Sequence, residues 1–193
     1  MENKQYQQTT KTLKKALNTF KSIEPLLLKT LNAKEIKYFE EYEDSEILQH
    51  LDVYSGIDSM VIYHNNHIRF MANRVQYNNN YKTFTIRETY INSKNTEYLK
   101  RSNAIKQEYS YPQLTSQVYV NEIDNKVLSM AFIKTKDLYK YIDDNENKLL
   151  YRQANNGGTI NKFIVVDWQS LIDNGYLLVV YENGAITHHN IKK

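Results

Sequence analysis

The sequence predicts an α+β fold: N-terminal helices, then a central antiparallel or mixed β-sheet with one or two packed helices. Three observations predict it. Apolar residues recur at helical spacing up to about residue 51 and at strand spacing beyond it. Only two prolines and five glycines interrupt 193 residues, so no linker stands out. One helical stretch over 94–109 separates the early strands from the late ones, and a crossover there would make the sheet mixed. The chain reads as a single domain over 1–193, with a helical arm over 1–50 and an α+β core over 51–193.

Residues 10–23 place Leu13, Ala16, Leu17, Phe20 and Ile23 on one helical face and Lys11, Lys14, Lys15 and Lys21 on the other. Pro25 suits the start of a second helix, whose apolar face is Leu26, Leu27, Leu28 and Leu31. A third helix is expected over 33–51, holding Ile36, Phe39, Ile47, Leu48 and Leu51. Its acidic run, Glu35, Glu40, Glu41, Glu43, Asp44 and Glu46, reads as a solvated face.

The period then changes. Residues 57–63 read as a strand, 64–67 as a turn and 68–76 as the hairpin partner. Asn78, Asn79 and Asn80 form a second turn, because Asn tolerates left-handed backbone, and 81–91 is a third strand. After the 94–109 helix, with Leu99 and Ile105, residues 114–120 alternate as a strand and 126–134 return as the next. Thr135 is the expected N-cap of a short helix through Leu138, Tyr141 and Ile142. Residues 163–166 are a buried-type strand, and Trp168 is expected to anchor the core. Asn183-Gly184 signals a final hairpin between 176–181 and 185–189.

Composition narrows the chemistry. There is no cysteine, which removes disulfides, thiolate metal sites and cysteine catalysis. No apolar run approaches the ~20 residues a membrane helix needs, and the N-terminus lacks a secretory pattern. A cytoplasmic protein without membrane partners is expected. Seventeen tyrosines are read mainly as packing residues. Lysine outnumbers arginine about four to one with abundant Asn, a coding bias of AT-rich genomes. His64, His67, His188 and His189 lie at turns and strand ends, and Gly157-Gly158 reads as a loop. Phosphate loops, zinc helices and nucleophile elbows are absent.

The strongest functional signal is local charge. Residues 69–106 hold eight basic side chains, Arg69, Arg74, Lys82, Arg87, Lys94, Lys100, Arg101 and Lys106, against the acids Glu88 and Glu97. That stretch is +6 in a chain of +3. Tyr77, Tyr81, Phe84, Tyr90 and Tyr98 are interleaved with the charges. Cations, aromatic faces and amides suit a phosphate backbone and unstacked bases, so nucleic acid, DNA or RNA, is the expected partner.

Just upstream, Leu51-Asp52-Val53-Tyr54-Ser55-Gly56-Ile57-Asp58 puts an acid at the head of a strand. The order α-β-β-β-α-β over roughly 33–120, with this Asp and a basic third strand, resembles the PD-(D/E)XK nuclease superfamily, the restriction-endonuclease-like fold. The resemblance implies a divalent cation, Mg²⁺, held by Asp58 and a second carboxylate from a Glu-x-Lys pair; without it no cofactor is expected. The pair is missing, since Ala72, Arg74 and Gln76 stand at its positions. Tentative catalytic positions are therefore Asp58, Arg74, Gln76 and Glu88, with Asp58 the metal ligand and Glu88 a substitute carboxylate. Strand alternation groups Phe70, Ala72, Arg74 and Gln76 on one face, and Arg74, Gln76 and Arg87 are expected to converge beside Asp58. The bland alternative is a structural salt bridge from Arg74 or Arg87 to Asp58 or Glu88.

Two readings follow. The first is a nucleic-acid-binding protein on a nuclease-like fold, with a degenerate metal site, from a phage or mobile element. The second is a small inhibitor of the anti-CRISPR or anti-restriction type that binds a host nuclease or its nucleic-acid complex. Lys11, Lys14, Lys15 and Lys21 against the acidic 35–46 run could also pair two copies of the chain.

Overall fold

The computed structural model describes residues 2–42, 45–46, 51, 55–90, 96–156 and 159–190. The fold is α+β, as expected, with the sheet mixed. Helix α1 spans Glu2–Ser22 and α2 Glu24–Leu31, with Pro25 in the first turn. Asn32 ends α2 in the left-handed region (φ 51°), donating its N–H to the Leu28 and Lys29 carbonyls.

The expected third helix is corrected here. Ala33–Tyr38 is a strand, β1, and Phe39–Glu41 a single 3₁₀ turn. Lys-Glu-x-Lys favours helix locally, but the left-handed Asn32 turns the chain out of helical register. Pairing then decides. β1 runs antiparallel to β2 (Ser59–Tyr63), burying Ile36 and Tyr38 on one side. Glu43, Asp44, Ile47, Leu48 and Asp52 lie outside the described residues.

β3 (Ile68–Ala72) pairs antiparallel with β2 across a turn in which Asn66 is left-handed. The expected strand over 68–76 breaks at Asn73 and Arg74, and β4 (Val75–Tyr77) resumes it. Both pieces run parallel to β6 (Leu114–Val120). Between them lie β5 (Thr83–Tyr90) and the crossover helix α3 (Glu97–Lys106), capped by Thr96. β7 (Val127–Lys134), β10 (Leu177–Glu182) and β11 (Ala185–His189) continue the sheet antiparallel, in the order β1-β2-β3-β6-β7-β10-β11. The Asn183-Gly184 hairpin is present, both residues at positive φ.

A second sheet orders β5-β9-β8, where β8 is Leu150–Asn156 and β9 Thr159–Asp167. Sequence patterning assigns nothing to β8. Helix α4 is Thr135–Asp144, but Lys134 occupies the N-cap position and offers no side-chain bond. Thr135 is instead fully buried, with its hydroxyl 2.8 Å from that of Thr115. Helix α5 (Trp168–Asp173) is capped by Asp167, which accepts from Ser170 N at 2.9 Å.

The large sheet is thus the middle layer of three. On one face Val118, Val120, Met130, Phe132 and Val179 meet Phe20, Leu27 and Leu31 of α1 and α2. On the other, Tyr119, Ala131, Ile133 and Val180 meet Phe84, Ile86, Ile164 and Trp168 of the second sheet and α5, with Leu138 and Ile142 of α4. Every residue of β6 is buried because both its faces are covered. Among the described residues, no helix is long and apolar enough to cross a membrane.

Candidate functional site: a polar cleft beside Asp58 and a basic depression on the first helix

The break in the third strand builds a cleft. Asn73 N donates to Asp58 Oδ2 at 2.5 Å, and Asn73 Nδ2 donates to Ser59 Oγ at 2.9 Å. Arg74 leaves the strand to reach the second sheet, donating to Thr85 O at 2.7 Å and pairing with Glu97 Oε2 at 2.5 Å. Helix α3 delivers Glu97 in its first turn and Arg101 one turn later. Arg101 Nη1 meets Glu97 Oε1 at 2.7 Å, and its Nη2 donates to Gly56 O at 3.2 Å. Gly56 is left-handed (φ +63°), and a Cβ there would sit 3.1 Å from Arg101 Nη2, so glycine favours this conformation and leaves room for the arginine.

The cleft these groups enclose holds about 190 Å³. Asp58, Asn73, Arg74, Thr85, Glu97, Arg101, Ser116 and Gln117 form its polar lining, and Phe84 and Ile86 its apolar side. Burial pushes the Glu97 carboxyl up, but the guanidiniums of Arg74 and Arg101 outweigh this and hold it below the usual glutamate range. Burial lowers the Arg101 pKa, while Glu97, Tyr139 and Asp58 raise it further and leave it firmly charged. Two buried donor atoms of this lining find no acceptor among the described residues: Arg101 Nε and Gln117 Nε2. Gln117 is 1 % exposed, a polar side chain on a strand otherwise covered on both faces.

The predicted residues divide sharply. Asp58, Arg74 and Arg101 come together in the cleft. Gln76 stands opposite Tyr119 on β4, outside the cleft lining. Arg87 N donates to Glu97 Oε2 at 3.3 Å, while its guanidinium lies over Phe163. Glu88 sits at the β5 irregularity and pairs with Lys162 at 2.9 Å. The salt-bridge alternative thus has its acceptor in Glu97 for Arg74, not in Asp58 or Glu88. Lys82 pairs with Glu182, Arg69 lies over the Tyr63 ring, Lys100 is half-buried, Lys106 is exposed, and Lys94 lies outside the described residues. Sequence reasoning misses Glu97, Gln117, Thr85 and Ser116 as site residues. Their signals are an acid isolated among cations, and a Thr-Ser-Gln run inside a buried strand.

A second polar surface lies on α1. Lys11, Lys14, Lys15, Asn18 and Thr19 line, with Asn125 of the β6–β7 turn, an open depression of about 430 Å³. Lys15 pairs with Glu122 and lies 4.1 Å from the centre of the Tyr77 ring. Lys11 and Lys14 have no ion-pair partner among the described residues. Lys21 pairs with Glu41, so one contact between the basic helix and the acidic run is made within the chain.

No family model matches the chain, and neither a curated protein nor a solved structure matches it.

Proposed function

We propose that this protein binds nucleic acid on a nuclease-like framework without cleaving it. The cleft carries the reading. Asp58 heads the second strand of an antiparallel trio, as a metal ligand would in a PD-(D/E)XK site. The one other carboxylate among the described lining residues, Glu97, is clamped by Arg74 and Arg101. A divalent cation seeks oxygen ligands, usually including one or two carboxylates. Here guanidiniums neutralise the second carboxylate, and no cluster of three His, Asp or Glu suited to a metal occurs among the described residues. The residues present do not fit Mg²⁺.

Phosphate contacts fall to the exposed lysines. Lys11 and Lys14 are free to release counterions on meeting a strand, and Lys106 is exposed at the end of α3. Arg74 and Arg101, although basic in sequence, are committed internally. The test is an oligonucleotide binding titration across salt, with single- and double-stranded DNA and RNA, in Mg²⁺, Mn²⁺ or EDTA. Binding with a negative salt slope and no requirement for a divalent cation is expected, with intact oligonucleotide recovered. Metal-dependent cleavage would overturn the reading.

A second reading, a protein-binding inhibitor, draws on β8. This strand edges the smaller sheet and exposes Leu150 (67 %) and Tyr151 (41 %). An exposed edge with apolar side chains is a surface another chain can pair with. Inhibition of a nuclease by the protein, lost on Leu150→Lys, would favour it.

A further inference from the structure

The cleft is polar but electrically balanced. Its described charged lining residues are Asp58 and Glu97 against Arg74 and Arg101, two of each sign. A phosphate entering it would meet two carboxylates, while both guanidiniums are already held by Glu97. A cation would meet two guanidiniums. Neither ion is favoured by Coulomb's law at this range.

What two of its buried donors lack is an acceptor. Gln117 Nε2 and Arg101 Nε are buried donors without partners, and a buried donor left unpaired forfeits its hydration with nothing in return. An occupant bearing neutral acceptors in one plane would satisfy them. The Ser116 hydroxyl on the same strand, which donates to Ala72 O at 3.2 Å, can still accept, and the Thr85 hydroxyl opposite, which accepts from Arg74 Nη1, can donate. Phe84 and Ile86 supply an apolar wall. A flat heteroaromatic ring with acceptors and donors on its edge has this chemistry. Proteins that take a base out of its stack read it in this way, by edge hydrogen bonds beside apolar or aromatic side chains. The cavity, about 190 Å³, suits one such ring and is too small for a base pair.

We propose that the cleft takes a single unpaired nucleobase, recognised along its edge by the Gln117 amide. The inference rests on the nucleic-acid reading and names what the cleft holds when a strand binds. Ordered water is the competing occupant, since a few molecules could also reach both donors.

The experiment follows the side-chain amide signals of ¹⁵N-labelled protein, with Gln117 assigned by its loss in Gln117→Met. Adenosine, guanosine, cytidine and uridine are added separately up to millimolar concentration, and inorganic phosphate is added in parallel. At least one nucleoside should shift the Gln117 signals and phosphate should not. A single-stranded oligonucleotide carrying 2-aminopurine should bind with a fluorescence change that Gln117→Met reduces at least tenfold. That variant should melt at the wild-type temperature or above, because it removes an unpaired buried donor. Oligonucleotide binding that leaves the Gln117 signals and the fluorescence unmoved overturns the cleft assignment and spares the nucleic-acid reading. Shifts with phosphate alone, or with nothing, overturn it too. Nucleoside binding without oligonucleotide binding keeps the cleft's ligand class and overturns the nucleic-acid reading.

Discussion

The two faces of the central sheet are built from the same strands by opposite means. Toward α1 and α2 the contacts are aliphatic and aromatic, from Leu27 and Leu31 to Val118 and Phe132. Toward the second sheet an apolar cluster gives way, beside Asp58, to arginines and carboxylates under α3. Alternation along β6 separates them: Val118 and Val120 face one layer, Gln117 and Tyr119 the other. The first face can be sealed by burial alone. The second must satisfy every charge it hides, so its stability depends on a few specific partners.

The sharpest way to break this contrast is Glu97→Ala. It leaves Arg74 and the nearly fully buried Arg101 without their shared carboxylate. Removing one partner from a buried ion pair typically costs about 3–5 kcal/mol, so the denaturation midpoint should fall steeply. Arg101→Ala should act similarly. A loss under about 1 kcal/mol in urea titration, the scale of an exposed pair, would mean the cluster is solvated and the two faces are alike.

That contrast also explains what can be read from the sequence. The helices α1 and α2 are legible because one-sided burial imposes a period, and β6, β7 and the β2–β3 and β10–β11 hairpins because strand-forming runs end at turns that Asn or Gly marks. β1 escapes because its local and non-local preferences conflict. Lys34, Glu35 and Lys37 favour helix locally, while pairing with Ser59–Tyr63 is non-local and wins. β8 is invisible because its described residues are mostly exposed and carry no period. At the site, Asp58 and Arg74 emerge together, but the +6 stretch reads as a surface. Sequence charge cannot reveal that Glu97 turns two of those arginines inward.

The apolar face has its own test in Leu27→Ala. Leu27 is fully buried between α2 and the sheet. Truncation should cost about 2–5 kcal/mol through lost transfer energy and a residual cavity. The cost should be independent of pH, since no titrating group is involved. A pH-dependent Leu27→Ala effect would blur the distinction between the faces.

Acid should act through the polar face. The folded Glu97 pKa is depressed, so its contribution is present above the unfolded glutamate value and is lost as pH falls through the lower folded value. Wild-type stability should therefore decline below the ordinary glutamate range, and Glu97→Gln should show a shallower decline from a lower starting point. Chemical denaturation from neutral to acid pH checks this. Identical slopes in the two proteins would assign acid sensitivity elsewhere.

The smallest effect on stability and the most direct test of binding is Lys11→Ala with Lys14→Ala. Both residues are exposed on α1, beyond either buried layer, and neither has an ion-pair partner among the described residues. Stability should change by no more than about 0.5 kcal/mol. If each lysine neutralises one phosphate, the slope of log affinity against log salt should flatten by about 1.8 on duplex DNA, or about 1.4 on a single strand. The size of the change thus separates the two partners. Arg74→Ala should instead reduce binding only as far as it unfolds the protein, because its guanidinium already holds Glu97. If purified, folded Arg74→Ala loses as much salt dependence as the lysine pair, the arginine reaches phosphate. The division between an inward-facing polar layer and an outward-facing basic helix would then fail.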